Sequence, residues 1–172
     1  MNYFELFGIS IQLQVDKTSL PEKYFELSRQ FHPDFYSNAT PSEQNHALEI
    51  SANLNRAFKT FQNPDETIKY VLQIKGLLGE EEKYQLPNDF LMEVLEINEQ
   101  LMDIQMDESP ELNQNLQSSI FNLQSRIYEP VKEIIEHFQD GITTEKELLQ
   151  VKEYYYKKKY LMRIEQQLKS MS

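Results

Sequence analysis

A chain of 172 residues, 40% hydrophobic and 26% charged, has the composition of a folded globular protein of one domain or two small ones. It contains no cysteine, which excludes disulfides, thiolate zinc sites, cysteine nucleophiles and iron–sulfur clusters held by its own thiolates. Seventeen basic against 28 acidic side chains give a net charge of −11, the wrong sign for a protein whose main partner is nucleic acid.

The opening Met1-Asn2-Tyr3-Phe4-Glu5 has no basic stretch followed by an apolar run, and no segment approaches the roughly 18 apolar residues of a membrane span. No signal peptide, no membrane contact and a cytoplasmic location are therefore expected. Only four glycines and seven prolines are present, and the one Asp-Gly, Asp140-Gly141, lies between two helical patterns. An all-α fold is expected.

Helix starts are legible from capping chemistry. Ser19-Leu20-Pro21-Glu22, Thr40-Pro41-Ser42-Glu43 and Asn63-Pro64-Asp65-Glu66 each combine a capping side chain, an early proline and a carboxylate three residues on. Ser109-Pro110-Glu111 lacks the third-position carboxylate, and Thr144-Glu145-Lys146-Glu147 lacks the proline. After the first start the apolar stripe is Leu20, Tyr24, Leu27 and Phe31, and it stops at Pro33. After the second it is Ala47, Ile50, Leu54, Ala57, Phe58 and Phe61, and a short third helix carries Ile68, Val71 and Leu72. With a small turn around Tyr3, Phe4 and Leu6, residues 1–75 form one compact helical unit.

Residues 76–87, with Gly76, Gly79 and a charge run, are expected to be a linker. Residues 88–172 are expected to form a three-helix bundle. Its first helix carries Phe90, Val94, Ile97, Leu101 and Ile104. The second runs from Pro110 to Phe138 through Leu112, Leu116, Ile120, Leu123, Ile127, Val131 and Ile134, about 43 Å if continuous, with a bend at Pro130. The third carries Leu148, Val151, Tyr154, Leu161, Ile164 and Leu168. Charge divides unevenly, 9 acidic and 7 basic side chains in 1–75 against 19 and 10 in 76–172, with eleven carboxylates against Lys83 alone in 80–111.

Three histidines, His32, His46 and His137, come in no metal-binding spacing, and no nucleophile elbow or phosphate-binding loop is present. Neither an enzyme nor a bound cofactor is expected. His32-Pro33-Asp34 stands apart. Proline drives the residue before it out of helical geometry, so the helix must end by His32, and the next begins only at Thr40. The tripeptide heads a solvent-facing loop between two helices.

That loop, between a helix bearing Tyr24, Leu27, Arg29 and Phe31 and a helix ending Asn55-Arg56-Ala57-Phe58, resembles the J domain. Asn2-Tyr3-Phe4-Glu5-Leu6-Phe7-Gly8-Ile9 is similar to the family's first helix, and Asn55–Pro64 to the end of its third. The resemblance implies a co-chaperone that docks on a heat-shock ATPase chaperone of the HscA/DnaK class and stimulates its ATP hydrolysis. His32, Pro33 and Asp34 would be required for stimulation, and Arg29 and Lys23 would help docking. Two departures soften the docking electrostatics: Phe35 follows the tripeptide where lysine is common, and Glu22 and Glu26 lie beside the basic residues.

No Gly/Phe-rich linker or cysteine-rich zinc region follows. Asp89-Phe90-Leu91-Met92-Glu93-Val94-Leu95-Glu96-Ile97-Asn98-Glu99-Gln100-Leu101 leads the second half instead, and the whole is similar to the iron–sulfur co-chaperone HscB (Hsc-twenty) family, bacterial type. In that family the C-terminal bundle holds the IscU-type cluster scaffold through residues matching Leu91, Met92, Leu95, Glu96, Glu99 and Tyr160. A helical wheel places Phe90, Val94, Ile97, Leu101 and Ile104 within about 80° of one another, and Leu91, Leu95, Met102 and Met106 about 120° away. The wheel alone leaves open whether this second stripe is buried by another helix or left free. A J-domain adaptor for a different client is the alternative function. The Tyr154–Tyr160 run with its three lysines is expected at the core edge.

Overall fold

The computed structural model of the chain describes residues 1–107 and 109–171, and among them every regular element is helical, as expected. By contact the chain divides into two units, Met1–Leu77 with Ile135–Thr143, and Leu78–Ile134 with Thr144–Ser172.

The first unit holds α1 (Tyr3–Phe7), α2 (Leu20–Gln30), α3 (Pro41–Gln62) and α4 (Pro64–Ile74). The cap at Thr40 is a full capping box, and the Asn63 side chain accepts from the N–H groups of Asp65 and Glu66. A further box closes α1: Asn2 accepts from the Glu5 N–H and the Glu5 carboxylate takes the Asn2 N–H. Ser19 departs from the expected pattern. Its backbone is already helical (φ −88°, ψ −14°), so its hydroxyl does not cap α2. The preceding turn is closed instead by the Asp16 carboxylate, which accepts from the Thr18 N–H and hydroxyl.

Phe4 and Phe7 of α1 pack on Phe61 of α3, with ring centroids 4.9 and 5.4 Å away, and Tyr3 stacks on Tyr70 of α4 at 4.4 Å. Leu54, Ala57, Val71 and Leu72 are fully enclosed beside them. Helix α2 buries only Leu20; Tyr24, Leu27 and Phe31 are half-buried. The reason is that α2 lies against α3 alone for most of its length, Tyr24 flat on Phe58 at 4.3 Å with its hydroxyl donating to Asn55. At the end of α4, Lys75 pairs with Asp140 of the 135–143 segment.

The second unit holds α5 (Asn88–Met106), α6 (Pro110–Tyr128), most of α7 (Lys132–Glu136) and α8 (Glu145–Ser170). Helices α5, α6 and α8 pack pairwise around Phe90, Val94, Ile97, Leu101, Ile104, Leu116, Ile120, Leu123, Ile127, Leu148, Val151, Leu161, Ile164 and Leu168. The expected single helix from Pro110 to Phe138 is interrupted. It ends at Tyr128, passes through a 3-10 turn over Glu129–Val131 and resumes only as the short α7. Pro130 lacks the N–H for an intrahelical bond, and its ring would meet the Arg126 carbonyl, so the continuous helix becomes a break. Beyond it Ile135 is buried while Ile134 and Phe138 stay half-buried.

Residues 78–87 are tied to α8. Lys152 donates to Glu82 at 2.5 Å, and Tyr84 stacks on Tyr156 with centroids 4.6 Å apart and rings parallel within 1°. The lysines of α8 lie over rings as well as beside carboxylates: Lys152 over Tyr84, Lys157 over Phe90 and near Glu153, Lys158 over Tyr154, Lys159 over Tyr156. Tyr154 and Tyr155 are buried, so the run sits at the core edge.

The Lys152 hydrogen bond holds the Glu82 carboxyl below its ordinary 4.5, while burial, with the nearby carboxylates, pushes the Tyr84 and Tyr156 phenols above 10. Folding thus favours the ionised carboxyl and the neutral phenols. The carboxylate's contribution is complete above about 4.5 and disappears as pH falls through the depressed value; the phenols' contribution fades as pH rises past about 10. Near-ultraviolet circular dichroism of the stacked tyrosines is therefore expected to weaken at both extremes, and Glu82→Gln is expected to remove the acid step and, because Glu82 is one of the carboxylates that raise the phenols, to move the alkaline step to lower pH.

Candidate interaction sites

The first site is the corner after α2. The last turn of that helix carries Arg29, and the Phe31 N–H still bonds to the Leu27 carbonyl at 3.1 Å. His32 then swings to extended geometry (φ −64°, ψ 132°), as the following proline requires, and Pro33–Tyr36 form a 3-10 turn. The solvent-facing loop thus contains a 3-10 turn that the sequence pattern did not mark. His32 caps this turn through its ring: Nδ1 accepts from the Asp34 N–H at 3.2 Å, which places the imidazole hydrogen on Nε2. The Asp34 carboxylate lies 3.6 Å from the same nitrogen, and the two side chains are 54% and 89% exposed.

The backbone of the corner is held from beneath by α3. The Ser51 hydroxyl donates to the Phe31 carbonyl at 2.9 Å, and the Gln44 amide donates to the carbonyls of Tyr36 and Ser37 at 3.0 and 3.1 Å. Within the turn the Phe35 N–H bonds to the His32 carbonyl at 3.0 Å. Anchored main chain with solvated side chains makes a polar corner that needs little ordering when it meets a partner. Arg29 is exposed and Lys23 half-buried on α2, where exposed Glu22 and Glu26 accompany them. Phe35 is exposed, with its ring edge-on to His32 at 6.3 Å.

Ser51 and Gln44 escaped the sequence reading. Their role depends on α3 passing under the loop, and a serine and a glutamine on a helix carry no local mark of it.

The second site is the outer face of α5. Phe90, Val94, Ile97, Leu101 and Ile104 point into the bundle, while Leu91, Met92, Leu95, Met102 and Met106 are all exposed, Leu91 at 39% and Leu95 at 57%. Glu96 and Glu99 beside them are exposed and Tyr160 on α8 is half-buried. The question left by the wheel is therefore answered: among the described residues no helix covers the second stripe. Leucine and methionine fringed by carboxylates form a surface suited to adaptable apolar docking.

Among the described residues there is no cluster of His, Asp or Glu able to hold a metal ion, and no helix is long and apolar enough to cross a membrane.

A family model described as the HSCB C-terminal oligomerisation domain matches residues 86–169. The co-chaperone protein HscB homolog of Shewanella halifaxensis is 31% identical over 171 residues, covering 98% of this chain and 95% of the relative. The chain belongs to the HscB co-chaperone family. The HscB homolog of Vibrio parahaemolyticus is 32% identical over 151 residues, covering 84% of each chain. Among solved structures, human co-chaperone HscB superposes with a TM-score of 0.79 at 27% identity, over 99% of this chain and 82% of the human one. The chaperone HscB of Vibrio cholerae shares the fold, with a TM-score of 0.74 at 24% identity over 99% and 97% of the two chains. The HscB architecture of an N-terminal J domain and a C-terminal helical bundle is thus the fold of this chain, and the His32-Pro33-Asp34 corner is its J-domain loop.

Proposed function

We propose that this chain stimulates the ATPase of an HscA/DnaK-class chaperone through the His32-Pro33-Asp34 corner and brings it an IscU-type iron–sulfur scaffold held on the outer face of α5. Arg29 and Lys23 help the corner dock; Leu91, Met92, Leu95, Glu96, Glu99 and Tyr160 receive the scaffold. The chain performs no bond chemistry of its own and acts in the cytoplasm. The observation that carries the reading is the uncovered Leu91-Met92-Leu95 stripe with its glutamate fringe, on a chain that also exposes a J-domain corner.

Holding client and chaperone on one chain raises the local concentration of each for the other. The test is chaperone ATPase turnover with this chain alone, the scaffold alone and both together. The expected result is stimulation by the chain alone and a larger, more than additive stimulation by the pair. Absence of stimulation by the chain sinks the chaperone half. Stimulation that the scaffold leaves unchanged favours the alternative, an adaptor for another client protein.

A further inference from the structure

With six methionines and no cysteine, the only sulfur atoms of this protein are thioethers. Three of them share the outer face of α5: Met92, Met102 and Met106 are 68, 60 and 88% exposed. At 100° per residue they fall with Leu91 and Leu95 inside an arc of about 100°. Met162 and Met171 are half-buried, and the Met171 sulfur accepts from the Gln105 amide at 3.8 Å. The buried stripe of the same helix, Phe90, Val94, Ile97, Leu101 and Ile104, contains no sulfur.

We propose that Met92, Met102 and Met106 form an oxidation site that takes a hydroperoxide as co-substrate and switches off docking on this face. In each event the peroxide O–O bond breaks and an S–O bond forms. The thioether loses two electrons to become a sulfoxide, and the peroxide is reduced to water, or to an alcohol if organic. A flexible apolar contact thereby becomes a strong hydrogen-bond acceptor, whose water must be stripped away under an apolar partner. Because the packed stripe holds no sulfur, the change is confined to the surface and the bundle stays folded. Sulfoxide reductases reverse it.

The inference rests on the scaffold-docking reading above, and the experiment separates the two. The full chain is treated with hydrogen peroxide, the peroxide is removed, and scaffold affinity is measured before and after, with peptide mass mapping and circular dichroism on the same samples. Oxygen is expected on Met92, Met102 and Met106 before Met162 and Met171. Affinity is expected to fall about tenfold with the helical signal unchanged, and to return after treatment with the two methionine sulfoxide reductases. In the variant Met92→Leu, Met102→Leu, Met106→Leu, whatever its own starting affinity, the ratio of affinities before and after peroxide is expected to stay near one. Oxygen arriving first at Met162 or Met171, an unchanged affinity in the oxidised natural chain, or an equal fall in the triple variant each overturns the proposal. An untreated chain that does not bind the scaffold overturns the docking reading, and this proposal with it.

Discussion

Replacing His32 by glutamine is expected to return chaperone ATPase turnover to its basal rate while scaffold affinity stays within about twofold, a few tenths of a kcal/mol. The imidazole has two tasks in the structure. Nδ1 caps the 3-10 turn by accepting from the Asp34 N–H, and the ring remains more than half exposed above it. Glutamine supplies an amide on a longer, freer stem that does not reproduce the planar ring at that place. The lost cap is worth about 1 kcal/mol, too little to unfold a unit whose core lies around Phe4, Phe7 and Phe61. Turnover assays against a fixed chaperone concentration, with circular dichroism to verify folding, measure the effect. Equal stimulation by the variant and the natural chain would falsify the assignment of the corner.

The second large effect is expected on α5. Leu91→Ala together with Leu95→Ala should weaken scaffold binding by two to three orders of magnitude, about 3–4 kcal/mol for two truncated anchors at the centre of an interface. Stimulation of the chaperone by the chain alone should persist. Both leucines are exposed and alanine is the better helix former, so the helix itself should be undisturbed. The same truncation at Leu101, on the buried stripe of the helix, would open a cavity instead. Calorimetric titration of the scaffold into the double variant gives the number, and an affinity equal to that of the natural chain removes α5 as the docking face.

What the sequence disclosed follows the range of the forces involved. Caps at Thr40, Asn63 and Thr144 were legible because donor and acceptor lie within three residues. Ser19 misled for the same reason: the competing partner, Asp16, lay just outside the pattern being read. Pro130 announced a disturbance, but whether a helix bends or breaks there depends on what the following turn packs against. The buried stripe of α5 was evident from its period, whereas the fate of the other stripe depended on how many neighbours the helix has, which no local pattern states. The supports of the J-domain corner, Ser51 and Gln44, were invisible because they act across chain separations of 20 residues and of 7 or 8.

The division of the chain has a consequence for anyone wishing to take it apart. The backbone passes from one unit to the other at 77/78, at 134/135 and again at 143/144. A single cut at 77/78 severs Met1–Leu77 from the Ile135–Thr143 segment of its own unit, which stays on the other fragment, and a gene truncated after Leu77 omits that segment, including the Asp140 that Lys75 grips. Isolating the N-terminal unit as a free-standing fragment therefore calls for a graft that supplies the missing strap, not a stop codon.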